Sequence, residues 1–281
     1  MASDPCNTRR PYFGKIEPSF NHGMTHREIF KMHPHTILEN SSQLAKDGYV
    51  TLQGLYTASV IEDTRKCVTE NISLLKNTRP NPSSGHLAGF HRYPELESLH
   101  TLISNHRVIL GILKEASHSH TIRSIGLSDI TVNRSQEWHV DLLRGKYCHH
   151  LNEEICWGVT GGGVYKVLWY LQDGKSLQVI PGAHTSAIGL ENDQSSQPHG
   201  PGESKVISVK SGDIILMDIR LPHRGSSEEE MKHADYFKHP KILVSTVLGG
   251  QSKPLTGAME KGNSERLSDW DVMHQNNCQL F

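Results

Sequence analysis

No stretch of the chain approaches the ~18 uninterrupted apolar residues of a membrane-spanning helix; the longest runs, such as 214–217, are far shorter. A helical membrane span is thereby excluded. Neither sign of charge prevails, since 29 Lys and Arg stand against 30 Asp and Glu, a net charge of −1. Without a basic block the electrostatic footprint of a nucleic-acid binder is missing, and the expected partner is a small-molecule substrate. Cysteines are few and scattered, at 6, 67, 148, 156 and 278, with no CxxC pair. This usage argues against a disulfide framework and for a reducing compartment. The opening segment, 1–16, has no apolar core of the kind a secretory signal needs, so the expected location is cytoplasmic.

What remains is an ordinary globular composition. Hydrophobic residues make up 36% of 281 positions, with 24 glycines besides, enough for a substantial core. The length allows one or two domains at ~150 residues each, but β barrels commonly form one larger unit. One number stands out: 19 histidines. Histidine is the commonest metal ligand, yet composition only permits a metal, and position must identify it.

Residues 1–34, rich in Pro, His and basic side chains without a period, read as an irregular N-terminal arm. From there a single domain is expected over 35–281. Its helical part, 35–120, opens with a helix over 35–46, where Ile37, Leu38, Leu44 and Ala45 fall at helical spacing; Asp47-Gly48 stops it and a strand follows over 49–52. Further helices are expected over 59–76 and 96–116, with a Pro, Ser and Gly loop over 81–89. The texture then changes to short β-branched or alternating runs over 129–133, 164–172, 177–180, 205–209, 213–219 and 242–248. Such runs, punctuated by turns, predict an all-β sandwich or barrel over 121–250, braced by the helices and followed by a C-terminal extension, 251–281.

The informative stretch is Trp138-His139-Val140-Asp141. In a strand, residues i and i+2 share a face, so His139 and Asp141 present an imidazole and a carboxylate to one cation. A third ligand is available at Leu221-Pro222-His223-Arg224-Gly225, where a histidine sits at a strand exit. Two imidazoles and one carboxylate form the facial triad that suits non-heme Fe(II), leaving positions open for dioxygen and a co-substrate. The same set serves catalytic zinc, and ligand type alone does not separate the two metals. Other histidines compete less well. His149 and His150 are adjacent, so on an extended chain at most one joins a site; His184 belongs to the turn Pro181-Gly182-Ala183-His184; His233 and His239 lie in the charged stretch 226–240.

Taken in order, five segments resemble the phytanoyl-CoA hydroxylase-like family of Fe(II)- and 2-oxoglutarate-dependent dioxygenases: Leu44-Ala45-Lys46-Asp47-Gly48-Tyr49-Val50, the Trp138–Asp141 strand, 165–173, the turn 180–184, and Gly212 through Gly225. The resemblance covers about residues 40–262. It implies a double-stranded β-helix, the jelly roll, flanked by helices. It also implies His139, Asp141 and His223 as the iron ligands, and oxidation of an unactivated C–H bond of a small metabolite, with release of succinate and carbon dioxide from 2-oxoglutarate and dioxygen. Desaturation, cyclisation or epimerisation is compatible with the same ligands; a zinc-dependent hydrolase or isomerase, or a non-catalytic binding module, is the more distant alternative.

Two departures from the family pattern matter differently. Ala183 replaces the usual Ser of the turn, a structural position. More serious, the family grips the far carboxylate of 2-oxoglutarate with an arginine about eleven residues after the distal histidine, exploiting its bidentate fork, and position 234 is Ala. With 226–240 read as an insertion, Lys241 opens the corresponding strand and replaces that arginine by a point charge. Lys166, a charge inside an apolar strand, is its competitor, and Ser245 is a further candidate contact for the co-substrate. Arg134 and Gln136 share by period 2 a face with Trp138, opposite His139 unless a bulge intervenes. The glycine-containing segment 142–163 is expected to move as a lid.

Overall fold

In the computed structural model, the described residues are 34–277 except 78, 188–194, 196, 198, 199 and 233–237. Apart from Pro34, the arm expected over 1–34 lies outside them, as does His233. The first helix, α1 (Pro34–Asp47), carries proline at its first position, where no backbone donor is needed. It stops at Gly48, whose φ of +78° is the left-handed conformation of a helix terminator, with its N–H on the Leu44 carbonyl at 2.9 Å. Strand β1 (Tyr49–Leu52) starts at once. A side chain at 48 has no room: a Cβ there would lie 2.6 Å from His184 Nδ1. His184, buried, donates from Nε2 to the Ala45 carbonyl at 3.1 Å, and Gly182 N–H binds the Asp47 carbonyl at 2.9 Å. The two expected turns are therefore one interlocked structure.

Helix α2 (Ala58–Glu70) is capped by Thr57, whose hydroxyl accepts from Val60 N–H. The helix expected over 96–116 is two, α3 (Glu97–Ser104) and α4 (Arg107–Ser117), because His106 adopts an extended conformation between them. The loop expected over 81–89 contains a short strand, β2 (Gly85–Ala88), which pairs with β3 (Ile122–Val132). After α5 (Glu153–Trp157) come β4 (Val164–Tyr170), β5 (Gly174–Val179), β6 (Lys205–Val209), β7 (Ile214–Asp218), β8 (His223–Arg224), α6 (Glu228–Lys232) and β9 (Ile242–Gly250). The C-terminal extension is mostly one helix, α7 (Pro254–Asn277).

The strands form two antiparallel sheets, one ordered β1-β7-β4-β9-β3-β2 and the other β6-β5-β8. This is the double-stranded β-helix that the family resemblance implies, and it meets the all-β expectation read from the strand pattern. Alternation along β4 shows how its layers are built. Tyr165, Val167 and Trp169 point to the helices, into a core shared with Leu44, Val68, Ile109, Leu113 and Leu216. Leu168 and Tyr170 point the other way, toward Leu177 and Val179 of the smaller sheet, and Lys166 lines the cavity on that side. A third apolar cluster closes one end, where Val140, Leu142, Leu143 and Leu151 meet Val164, Val247, Leu255 and Met259. The segment expected to be a lid is thus anchored in this core, and Tyr147 and His150 bind Asp269 and Glu265 of α7 at 2.8 and 3.0 Å.

Candidate metal centre

Strand β3 ends at Val132 and is followed by Asn133, a left-handed residue with φ of +48°. Residues 134–137 then run irregularly until Trp138 and His139 pair with Ser195 and His223. The second pairing places the site. His139 and His223 exchange both backbone hydrogen bonds, each 2.9 Å, so they stand directly opposite one another with ring centroids 4.2 Å apart. Asp141, two residues on, is tied by its N–H to the Ile219 carbonyl at 2.8 Å. His139 and His223 are buried and the Asp141 carboxylate nearly so, and their ligand atoms lie within 4.8 Å of one another.

Hydrogen bonding fixes what these atoms offer. Nδ1 of His139 donates to the Glu137 carbonyl at 2.6 Å and Nδ1 of His223 to the Leu221 carbonyl at 2.9 Å. Each carbonyl can only accept, so each neutral imidazole keeps a lone pair on Nε2, the arrangement that commonly orients metal-binding histidines. Those nitrogens face Asp141 oxygens at 3.6 and 3.3 Å. Burial, then the neighbouring His139, pushes His223 down to about 3. Burial likewise lowers His139, against the pull of Asp141. Burial would raise Asp141, but Lys166 above all, with His223 and His139, holds its carboxyl well below the usual range.

The result is three acceptor atoms turned on one another without a proton between them. Asp141 Oδ2 is buried and has no hydrogen-bond partner. A buried unpaired carboxylate oxygen costs several kcal/mol by the usual order of magnitude, and a divalent cation among the three groups would satisfy all of them. The donor set therefore fits a metal. Lys166 Nζ donates to the other oxygen, Oδ1, at 2.7 Å, and Gln136 Nε2 donates to His139 Nε2 at 2.6 Å.

Behind His223 a cavity enters the space between the sheets. Leu168, Leu177 and Leu243 give it apolar walls, and Lys166, Lys241 and Arg134 supply charge. Lys241 is half-buried, with Nζ 3.3 Å from Ser226 Oγ; burial pulls its ammonium down to about 8, against Glu230. Ser245 is buried beside Leu168 in the sheet register, and its hydroxyl donates to the Asp129 carbonyl at 3.2 Å rather than lining the cavity. Arg134 and Gln136, expected to face away from His139, both line the cavity. Period-2 reasoning fails there because the left-handed Asn133 takes 134–137 out of the strand, the interruption that would reverse their facing. No motif marks Gln136; only its distance to the candidate ligand His139 reveals it.

Elsewhere, His149 and His150 do not separate to opposite faces. They sit at the end of a tight turn with rings 3.8 Å apart, both against Glu265 at the surface. His239 is exposed.

No family model and no curated protein matches the sequence. Solved structures do match the fold. The non-heme alpha ketoglutarate dependent epimerase SnoN from nogalamycin biosynthesis gives a TM-score of 0.57 at 13% identity, covering 77% of this chain and 84% of that one. EctD from S. alaskensis with bound Fe gives 0.55 at 14%, covering 76% and 77%. HygX from Streptomyces hygroscopicus, with nickel, 2-oxoglutarate and hygromycin B bound, gives 0.54 at 16%, covering 76% and 87%. At such identities the likeness establishes a shared fold.

Proposed function

We infer that the chain is an Fe(II)- and 2-oxoglutarate-dependent oxygenase acting on a small molecule, most simply a hydroxylase. The observation that carries this reading is the convergence of the Asp141 carboxylate, with its buried and unpartnered Oδ2, on the lone-pair-bearing Nε2 atoms of His139 and His223. Support comes from the fold, whose solved counterparts include one holding Fe and one holding 2-oxoglutarate.

His139, Asp141 and His223 would hold the metal, which when bound supplies the activation of dioxygen that side chains cannot perform. The chain's own part is placement. The cavity suits a short dicarboxylate with one end at the triad, its methylenes against Leu168 and Leu243, and its far carboxylate on the Lys241 ammonium. A half-buried ammonium whose one hydrogen-bond partner among the described residues is Ser226 gains from such an anion. Lys166 neutralises Asp141 and fixes its rotamer, leaving one oxygen for the metal. Gln136 holds the His139 lone pair and must yield it when a cation enters.

An epimerase outcome is the second reading, favoured by the description of SnoN; it would use the same residues with the substrate placed differently. A zinc hydrolase, by contrast, leaves Lys241 without a purpose. Purified protein with Fe(II), 2-oxoglutarate and dioxygen is expected to form succinate, and Asp141→Asn to bind no iron and form none. Succinate production undiminished in Asp141→Asn would overturn the assignment.

A further inference from the structure

The cavity holds one cation more than its co-substrate uses. Lys166 is paired with Asp141 at 2.7 Å. Lys241, on the oxygenase reading, takes the far carboxylate of 2-oxoglutarate. Arg134 remains, and its Nε is buried without a partner; among the described residues no hydrogen bond or salt bridge engages its guanidinium.

Lys241 and Arg134 line one cavity but have different charged neighbours. Lys241 faces Ser226 and Glu230. The charges that act on Arg134 are instead those of Arg79, Asp129, Arg144 and Arg266. The single carboxylate in that group is already engaged. Asp129 accepts two hydrogen bonds from Arg266, at 3.0 and 3.3 Å, and lies 3.2 Å from His86 Nε2. Burial, then Arg79, pulls the Arg134 guanidinium down to about 10, so it is still charged at neutral pH.

Nor does loading the site supply the missing charge. With Asp141 matched by Lys166, a divalent metal and Lys241 together outweigh the two charges of a dianionic co-substrate, so among the described groups of the site nothing negative is left over for Arg134. An arginine buried among arginines gains most from an oxyanion that its planar fork can bind bidentately. We propose that Arg134 is the recognition site for an oxyanionic group, a carboxylate or a phosphate, carried by the substrate to be oxidised. The proposal rests on the oxygenase reading only in giving Lys241 to the co-substrate.

The test uses protein loaded with Mn(II) in place of iron and saturated with 2-oxoglutarate, titrated calorimetrically at constant ionic strength with inorganic phosphate, sulfate and acetate. The wild type is expected to bind at least one of them saturably, and the preferred probe tells phosphate from carboxylate chemistry. Arg134→Gln should weaken that binding tenfold or more and Arg134→Lys should retain part of it, while 2-oxoglutarate affinity stays within twofold in both. Arg134→Lys keeps the charge and serves also if the Gln variant does not fold. Absence of saturable anion binding in the wild type, or binding within twofold of wild type in Arg134→Gln, overturns the proposal. So does a tenfold loss of 2-oxoglutarate affinity in Arg134→Gln, which would give the guanidinium to the co-substrate and leave the oxygenase reading standing. A wild type that binds no 2-oxoglutarate with any divalent metal defeats that reading itself, and the substrate assignment with it.

Discussion

The two faces of β4 differ in kind. On the helix-facing side Tyr165, Val167 and Trp169 are almost wholly buried in a continuous apolar cluster, and the Trp169 ring stacks on Tyr56 at 4.3 Å. On the other side Lys166 reaches Asp141 and Leu168 and Tyr170 wall a cavity. One strand thus carries stability on odd positions and chemistry on even ones. The division has a physical reason. The helices exclude water from the outer face, so only apolar side chains are tolerated there. The smaller sheet stands away from the inner face and leaves room for charge, provided each charge is paired or awaits a ligand.

The sharpest test of this division pairs one substitution from each side of the major sheet. His223→Ala should abolish metal binding and turnover together, while the metal-free protein loses only about 1 kcal/mol, the worth of the Nδ1 hydrogen bond to Leu221. Trp169→Ala should do the reverse. Emptying a fully buried indole site costs ~3–5 kcal/mol, a large part of the ~5–15 kcal/mol available to a domain, yet any molecules that remain folded should bind metal normally. Denaturant unfolding and metal titration on the same samples decide it; loss of metal affinity in folded Trp169→Ala would show that the outer face reaches into the chemistry.

A smaller effect with an informative sign is expected at Lys241. Its folded-state value of about 8 lies below the ordinary 10.5. The charged form is therefore disfavoured by folding, a penalty complete below pH 8 and gone by about 10.5. Metal-free Lys241→Met should accordingly be more stable than wild type at neutral pH, with the gap closing as pH rises through that window. The same variant should weaken 2-oxoglutarate at least tenfold, about 1.4 kcal/mol. If Lys166→Met weakens it and Lys241→Met does not, the co-substrate lies the other way round. A wild type whose stability advantage over Lys241→Met grows with falling pH would contradict the burial argument.

What could be read from the residues alone follows the same division. Alternating or β-branched runs mark β4, β6, β7 and β9 because each of these strands must match a fixed apolar layer. His139, Asp141 and His223 were legible because spacing and the strand exit are local facts. Where the signal failed, the determinant was distant. In α7 the positions facing the core include Leu255, Met259, Leu267 and Trp270, but Gly262 and Asn263 interrupt them. Gly262 is required because a Cβ would lie 2.3 Å from the Tyr147 carbonyl oxygen, and Asn263 donates to Ile125 O at 3.3 Å. Both are answers to partners more than a hundred residues away. β2 was hidden for a similar reason: Gly85-His86-Leu87-Ala88 has little strand propensity, and its pairing with β3 decides its conformation. Arg134 and Gln136 were placed on the wrong side because one left-handed residue, Asn133, resets the alternation.

Ser245 offers the finest test of where the inner face ends. It follows Leu243 by two residues on β9 and so shares its direction, but its hydroxyl donates to the Asp129 carbonyl across the β3–β9 pairing at 3.2 Å. A donor so engaged is worth ~1 kcal/mol to the fold and is not available to a carboxylate in the cavity. Ser245→Ala should therefore lower stability by about that amount, shifting the unfolding midpoint by ~2–4 °C for a chain of this size, and change 2-oxoglutarate affinity by less than twofold. Calorimetric titration of the metal-loaded variant measures the second number directly. A tenfold loss of affinity with unchanged stability would mean that the hydroxyl turns from Asp129 to the co-substrate on binding, and would extend the chemical face one step further along β9 than its hydrogen bonds now mark it.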